Sequence, residues 1–150
     1  MPSTVATGNS PWCDDRIGAK PLMVPEVDPL SAIATLAIRI RAARILREHH
    51  VWEAVRLLPS LLSLTEDRDA MRRFRALMDT DLLSEAALFL IAASRPTRTV
   101  CRLALKDGVW VCTLRREERC SRDDARKFTT MHQDEAAALL SALIAADSRH

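Results

Sequence analysis

Glycine is scarce in this chain of 150 residues, which contains only three. Phosphate-binding loops and dinucleotide fingerprints need several closely spaced glycines, so these nucleotide-binding motifs are excluded. The metalloprotease motif His-Glu-x-x-His and the hydrolase motif Gly-x-Ser-x-Gly do not occur either. A site could still assemble in space from Cys120, Asp123, Asp124 and His132, but nothing in their spacing requires it. The sequence therefore predicts a protein that is not an enzyme and carries no cofactor.

Long apolar runs are also lacking. The longest extends only from Ala86 to Ala93, whereas a membrane-spanning helix needs about 20 apolar residues. The first residues carry neither the basic nor the apolar region of a secretory signal. We therefore expect a cytoplasmic protein without a membrane partner. Arginine far outnumbers lysine and alanine is abundant, which is typical of a GC-rich bacterial coding sequence.

Cysteine is too sparse for a disulfide framework, because a chain of this length contains only four. Cys101, Cys112, Cys120 and His132 together form a ligand set that zinc accepts. However, no pair has the Cys-x-x-Cys spacing of a zinc-binding turn, and free cysteine on an apolar strand behaves as a small hydrophobic residue. Buried thiols are favoured over a metal site.

Proline and glycine are concentrated at the start of the chain, where residues 1–29 hold five of the seven prolines and two of the three glycines. This composition predicts a flexible leader of residues 1–29, followed by a single α+β domain of residues 30–150. Trp12, Cys13 and the run from Leu22 to Val27 are apolar enough to dock. The alternative is therefore a leader that lies on the domain or engages a partner.

Residues 30–49 are rich in helix-forming residues and predict a first helix that His49 and His50 close. Its apolar residues form two nearly opposite faces, one containing Ile33, Leu36, Ala37, Ile40 and Ala43, and the other Ala34, Ile38, Ala42 and Ile45. A helix that is apolar on two sides is either sandwiched inside its domain or shared with a second chain.

Three further helices are predicted over residues 51–62, 66–78 and 79–93. Pro59 should kink or end the first of them, because proline removes a backbone donor and clashes with the preceding turn. Ser63 followed by Glu66 has the form of a capping box, with Thr65 as another cap for the same helix. The acids from Asp79 to Asp81 should start the last of these helices.

The dipeptide Asp107-Gly108 predicts a two-residue type I′ turn, and hence a β-hairpin over residues 99–115. In that register Leu105 pairs with Trp110, Leu103 with Cys112 and Cys101 with Leu114. One face is then wholly apolar, consisting of Cys101, Leu103, Leu105, Trp110, Cys112 and Leu114. Because a lone hairpin is marginal, this face must be covered.

The segment after the hairpin contains a charge run at residues 115–119 and a short turn or helix at 121–127. A C-terminal helix over residues 133–146, capped by Thr130 with Gln133, is close enough to cover the hairpin. The fold class predicted is α+β and mostly helical, with four N-terminal helices, one β-hairpin (about 99–115) and a C-terminal helix.

Arginines on the third helix raise the question of nucleic-acid binding. Arg68, Arg72 and Arg75 fall on one helical face with Arg73 beside them, so four cations could meet a phosphate backbone. Acids in the first turn partly balance this charge, and few aromatic residues remain for base stacking. A solvated face is favoured, and weak backbone-directed nucleic-acid binding is the alternative.

These observations favour a small non-enzymatic protein with an interaction or regulatory role in a bacterium. The two-sided first helix, the apolar leader and a free strand edge all suggest contact with another chain. The partner is an unidentified protein or a second copy of the same chain.

Overall fold

The structure is a computed structural model that describes residues 28–116 and 126–148. Its fold is α+β, as the sequence predicts. The helices are α1 (Pro29–Ala42), α2 (Glu48–Leu57), α3 (Leu62–Glu66), α4 (Arg68–Asp79), α5 (Leu83–Ala93) and α6 (Glu135–Ser148), with a 3-10 turn at Pro59–Leu61. The strands β1 (Arg98–Lys106), β2 (Val109–Arg116) and β3 (Lys127–His132) form an antiparallel sheet in the order β1-β2-β3.

Helix α6 lies at the centre of the domain. It packs against strands β2 and β3 and against helices α1 and α5. Most of its residues are buried, including Leu139, Leu140 and Leu143, and a helix that is apolar around most of its circumference must be enclosed. The predicted C-terminal helix therefore exists and packs against the sheet.

The hairpin turn has the predicted geometry, because Asp107 and Gly108 both have positive φ, at 54° and 77°. The register also matches the prediction from Lys106 back to Arg102. Beyond that point the prediction is wrong, because an irregularity between Val100 and Arg102 makes Val100 the partner of Leu114. Cys101 is bulged out and exposed instead of joining the apolar face.

Strand β3 was not predicted. Its sequence Lys-Phe-Thr-Thr-Met-His places Phe128, Thr130 and His132 at alternate inward positions, so the inward side carries only one strongly apolar residue. Residues 121–125 of the predicted turn lie outside the described residues. The predicted cap of α6 is wrong, because Thr130 is in the strand and the carboxylate of Asp134 instead accepts from Ala137 N at 3.2 Å.

Helix α1 ends at Ala42, well before the predicted end at residue 49. The chain leaves the helix so that Leu46 can enter the core, and His49 and His50 consequently lie in the first turn of α2. His50 Nδ1 accepts a hydrogen bond from Arg47 N at 3.2 Å. Burial, reinforced by the neighbouring His49 and Arg39, lowers the pKa of His50, which favours the neutral imidazole that this bond requires.

Pro59 ends α2 and starts the 3-10 turn, as predicted. The capping box at Ser63 is wrong, because Ser63 lies inside α3 and the Asp67 carboxylate caps α4 by accepting from Asp69 N at 3.0 Å. Helix α5 begins at Leu83, later than predicted, after Asp81 adopts a left-handed conformation with φ 58°.

A buried ion pair joins the start of β1 to the end of α6. Arg98 Nη2 lies 2.5 Å from Asp147 Oδ1, and both side chains are 0% exposed. Ser60 Oγ donates to Asp147 Oδ2 at 2.6 Å, which adds the 3-10 turn to the cluster. Burial lowers the pKa of Arg98, and the Asp147 charge opposes that shift. Since an arginine stays protonated in proteins, this cluster holds a permanent buried charge.

Candidate functional site

A groove of about 500 Å³ runs between helix α1 and strand β3, with α6 as its floor. Its apolar lining includes Ala34 and Ile38 of α1, Met131 of β3 and Ile144 of α6. Ile38 is 63% exposed and Met131 is 65% exposed. Two large apolar side chains that face solvent across one groove are typical of an interaction site.

The backbone of β3 offers hydrogen-bonding groups on the groove side. Arg116 N donates to Arg126 O at 3.0 Å, so this opposed pair is hydrogen-bonded, and every second residue of β3 likewise bonds to β2. The alternate residues Lys127, Thr129 and Met131 direct their N–H and C=O groups away from β2. No hydrogen bond to these groups occurs in the described part of the chain.

Positive charge surrounds the groove. Arg41 lines it, Arg44 joins Arg41 in an adjoining depression, and Lys127 stands exposed at the start of β3. Among the described residues that line the two depressions, none is an acid. A segment bound here would therefore meet a favourable potential if it carried negative charge.

The outer face of α1 forms one wall of this groove. The inner face is buried through Ile33, Leu36 and Ile40, as expected for a core helix. On the other side, Leu30 is exposed like Ile38, and so is Ile45 in the loop after α1. The hypothesis that α1 is sandwiched inside the domain is therefore wrong for the described residues, and its second apolar face stays uncovered.

One end of the groove is fixed by a polar junction. His132 Nδ1 accepts from Asp134 N at 2.9 Å, so its Nε2 donates to Ile40 O at 3.1 Å. The carboxylate of Asp134 accepts from Leu46 N at 3.0 Å. These bonds tie the end of β3 to the end of α1, which sets the distance between the two walls.

The candidate metal ligands are spread apart. Cys101 is exposed on the bulge, whereas Cys112 is buried and burial raises its pKa to about 11, which disfavours the thiolate that metals bind. Both ring nitrogens of His132 are already engaged. Residues 28–116 and 126–148 contain no group of three potential ligands, and Cys120, with Asp123 and Asp124, lies outside them.

Three of the four arginines proposed for nucleic acid share one surface. Arg68, Arg72 and Arg75 surround a shallow depression on α4, whereas Arg73 does not line it. Asp79 also lines this depression, and Arg72 lies 3.6 Å from Asp69, with both side chains more than four-fifths exposed. The acids therefore reduce the positive potential of this surface.

The sequence missed the groove because β3 was missed, although the second apolar face of α1 was a signal of it. None of the helices in the described ranges combines the length and the apolarity needed to cross a bilayer. Comparison with protein-family models, curated proteins and solved structures gave no match to this chain.

Proposed function

We propose that this chain is a protein-interaction module whose groove binds an extended, acidic and partly apolar segment of another polypeptide. The segment adds to the sheet as a fourth strand beside β3. The observation that carries this proposal is the outward backbone of Lys127, Thr129 and Met131 beside the uncovered side chain of Ile38. Strand addition combines main-chain hydrogen bonds with pockets for alternate side chains.

The two edges of the sheet differ in a way that favours β3. Natural proteins protect exposed edges with bulges and charges, and β1 carries a bulge near Cys101. The register of β3 with β2 is regular throughout, and the strand carries a charge only at Lys127. Each backbone hydrogen bond gained there contributes a net of about 0.5–1.5 kcal/mol.

Charge argues for an acidic partner over a second copy of this chain. A symmetric dimer through β3 would bring Lys127 and Arg41 of both copies towards one another, and like charges at an interface oppose association. An acidic segment instead pairs with these cations. Self-association remains a competing hypothesis with less support.

A binding titration with defined peptides tests this function. The probe is a fluorescein-labelled octapeptide in which Val alternates with Glu, and its counterpart has Lys in place of each Glu. We expect the acidic peptide to bind more tightly, and Arg41→Glu to weaken its binding by about fivefold to tenfold, as for reversal of a partly exposed charge pair. The same variant should strengthen binding of the basic peptide.

Proline substitution on the two edges supplies the matched control. Thr129→Pro removes an outward N–H of β3 and should abolish peptide binding, while the ladder to β2 stays intact. Leu105→Pro removes an outward N–H of β1, on the opposite edge, and should leave binding unchanged. Equal binding of both peptides, or equal loss in both proline variants, would exclude the proposed groove.

Nucleic-acid binding is the second candidate function, supported by the placement of Arg68, Arg72 and Arg75 around one depression. If it occurs, the affinity for labelled duplex and single-stranded DNA or RNA should fall steeply with salt, because contacts to phosphates release counterions. Arg72→Ala with Arg75→Ala should then reduce anisotropy-detected binding, while Arg73→Ala has a smaller effect. Absence of binding at low salt would reject this function.

A further inference from the structure

The helices of the described chain pack against one face of the sheet. Helices α5 and α6 contact the strands, and Cys112 and Leu114 are buried on that side. Because successive side chains of a strand point to opposite sides, the alternate residues form a second face, none of whose described residues is buried. We call this the open face. It consists of Val109, Val111, Thr113 and Arg115 of β2 and of their cross-strand partners on β1 and β3.

The middle of the open face is an apolar strip, formed by Val109, Val111 and Met131. The two valines are half-buried, and Met131, the partner of Val111 on β3, is 65% exposed. Thr113 comes next on β2, and its Oγ1 lies 3.0 Å from Thr129 Oγ1, so its hydroxyl already has a partner within the sheet. Neighbouring apolar side chains that stay uncovered are typical of an interaction site. A partner that fits must bring an apolar surface to this strip.

Positive charge flanks the apolar strip on both sides. Lys106 and Arg102 lie on the β1 side. Lys127 lies on the β3 side, and Arg44 lines a depression shared with Val109 and the end of β3. None of the described residues of the open face is acidic, and the ion pairs within residues 28–116 and 126–148 join other side chains. The potential therefore favours a partner with acidic groups on both flanks of an apolar surface.

The backbone of β2 determines what kind of element can lie on this face. Strand β2 is central and pairs with β1 on one side and with β3 on the other, so its N–H and C=O groups are used within the sheet. An element that covers the open face must therefore satisfy its own backbone hydrogen-bonding groups. An α-helix does so along its length, whereas an extended segment does not.

We propose that the open face binds an amphipathic helix of a partner protein, with an apolar stripe against Val109 and Val111 and acidic side chains on both flanks. The dimensions agree. The outer strands lie about 10 Å apart, since neighbouring strands are separated by about 4.8 Å, and a helix with its side chains is about 10–12 Å wide. From Val109 to Arg115, β2 extends about 20 Å, which matches a helix of about 14 residues.

Two other occupants fit the open face less well. A nucleic acid would meet the cations, but no described residue of this face is aromatic, and proteins that bind single strands stack the bases on aromatic rings. The apolar strip would also gain nothing from a phosphate backbone. A second copy of this chain would bring the same cations together, and like charges oppose association.

A binding titration of the full chain with a helical peptide tests this inference. The probe is a fluorescein-labelled 14-residue peptide with Leu along one helical stripe and Glu on both flanks. A side-chain cross-link between positions i and i+4 on its outer side keeps it helical, because isolated helices of this length are marginal. Its counterpart has Lys in place of each Glu. We expect the acidic helix to bind about tenfold more tightly than the basic one.

Two substitutions with matched controls locate the binding surface. Arg102→Glu should weaken binding of the acidic helix about fivefold, whereas Arg56→Glu, at an exposed position on α2, should leave it unchanged. Val111→Thr keeps the β-branched shape but places a hydroxyl on the apolar strip, and should also weaken binding about fivefold. Leu105→Thr is its control, because Leu105 is 57% exposed and lies on the opposite face of the sheet.

The outcomes separate this inference from the proposed function. A cross-linked helix cannot add to β3 as a strand, and Arg102 lies at the opposite edge of the sheet from the groove, so Arg102→Glu should leave binding of the extended Val-Glu octapeptide unchanged. Failure of the octapeptide alone would reject the groove and retain the open face.

Equal affinity for the acidic and basic helices, or equal effects of Arg102→Glu and Arg56→Glu, would overturn the inference. Labelled DNA or RNA that binds the native chain but not Arg102→Glu, without binding of the acidic helix, would identify a nucleic acid as the occupant. That result would also overturn the inference.

Discussion

Replacing Asp147 with Ala is expected to lower the free energy of unfolding by about 3–5 kcal/mol, the range found when one partner of a buried ion pair is removed. The Arg98 guanidinium would then remain buried without its counter-ion, because its side chain is 0% exposed. Ser60 Oγ would lose its acceptor as well. Urea unfolding followed by circular dichroism measures the change.

A triple variant distinguishes a loss of charge balance from a loss of packing. Arg98→Met combined with Asp147→Leu, with Ser60→Ala to remove the remaining hydroxyl, should recover most of the lost stability. Buried ion pairs replaced by apolar residues of similar volume are often neutral or stabilising. If the combined variant is as unstable as Asp147→Ala alone, the unpaired charge is not the cause.

The pair could not be predicted because neither residue shows its role in the sequence. Arg98 directly precedes the predicted hairpin, and Asp147 follows the last apolar residue of the predicted helix. Acids and arginines at element ends are ordinarily solvated. Only the tertiary arrangement brings the end of α6 against the first residue of β1, more than forty residues away along the chain.

Elements with strong local chemistry were predictable. The Asp107-Gly108 turn sets the hairpin register from Lys106 back to Arg102 without tertiary information. The register fails at Cys101, because a bulge depends on how the strand packs and twists. Helix α6 was predictable for a related reason, since its run of Ala and Leu leaves no charged residue between Glu135 and Asp147.

The candidate site depends on the element that was least predictable. Strand β3 directs Phe128, Thr130 and His132 inwards. The threonine and the histidine make hydrogen bonds on that side, so the strand lacks the alternating apolar pattern from which a strand is predicted. Thr130 Oγ1 donates to Ala138 O at 2.8 Å, and His132 bonds to Ile40. The second apolar face of α1 indicated that something must cover it, but the facing wall of the groove could not be inferred.

Phe74 gives the other large expected effect. Its ring is fully buried on the inner side of the arginine-bearing helix α4, with the Trp52 ring edge-on at 5.0 Å and the Phe89 ring stacked at 6.3 Å. Phe74→Ala should lower the free energy of unfolding by about 3–5 kcal/mol, through lost burial and a residual cavity. Loss of aromatic contact should also weaken the near-ultraviolet circular dichroism of Trp52.

The opposite side of α4 supplies the control. Arg72→Ala changes an exposed side chain whose one ion pair, with Asp69, is equally exposed, so stability should change by no more than about 0.5 kcal/mol. Phe74→Leu keeps an apolar side chain and should cost less than Phe74→Ala, because a smaller cavity remains. If Arg72→Ala destabilised the chain as much as Phe74→Ala, the arginine face would have a structural role. The proposal that it binds nucleic acid would then lose its support. If the expected difference holds, any effect of Arg72 on DNA or RNA binding reports on the surface itself, because the helix beneath it stays folded.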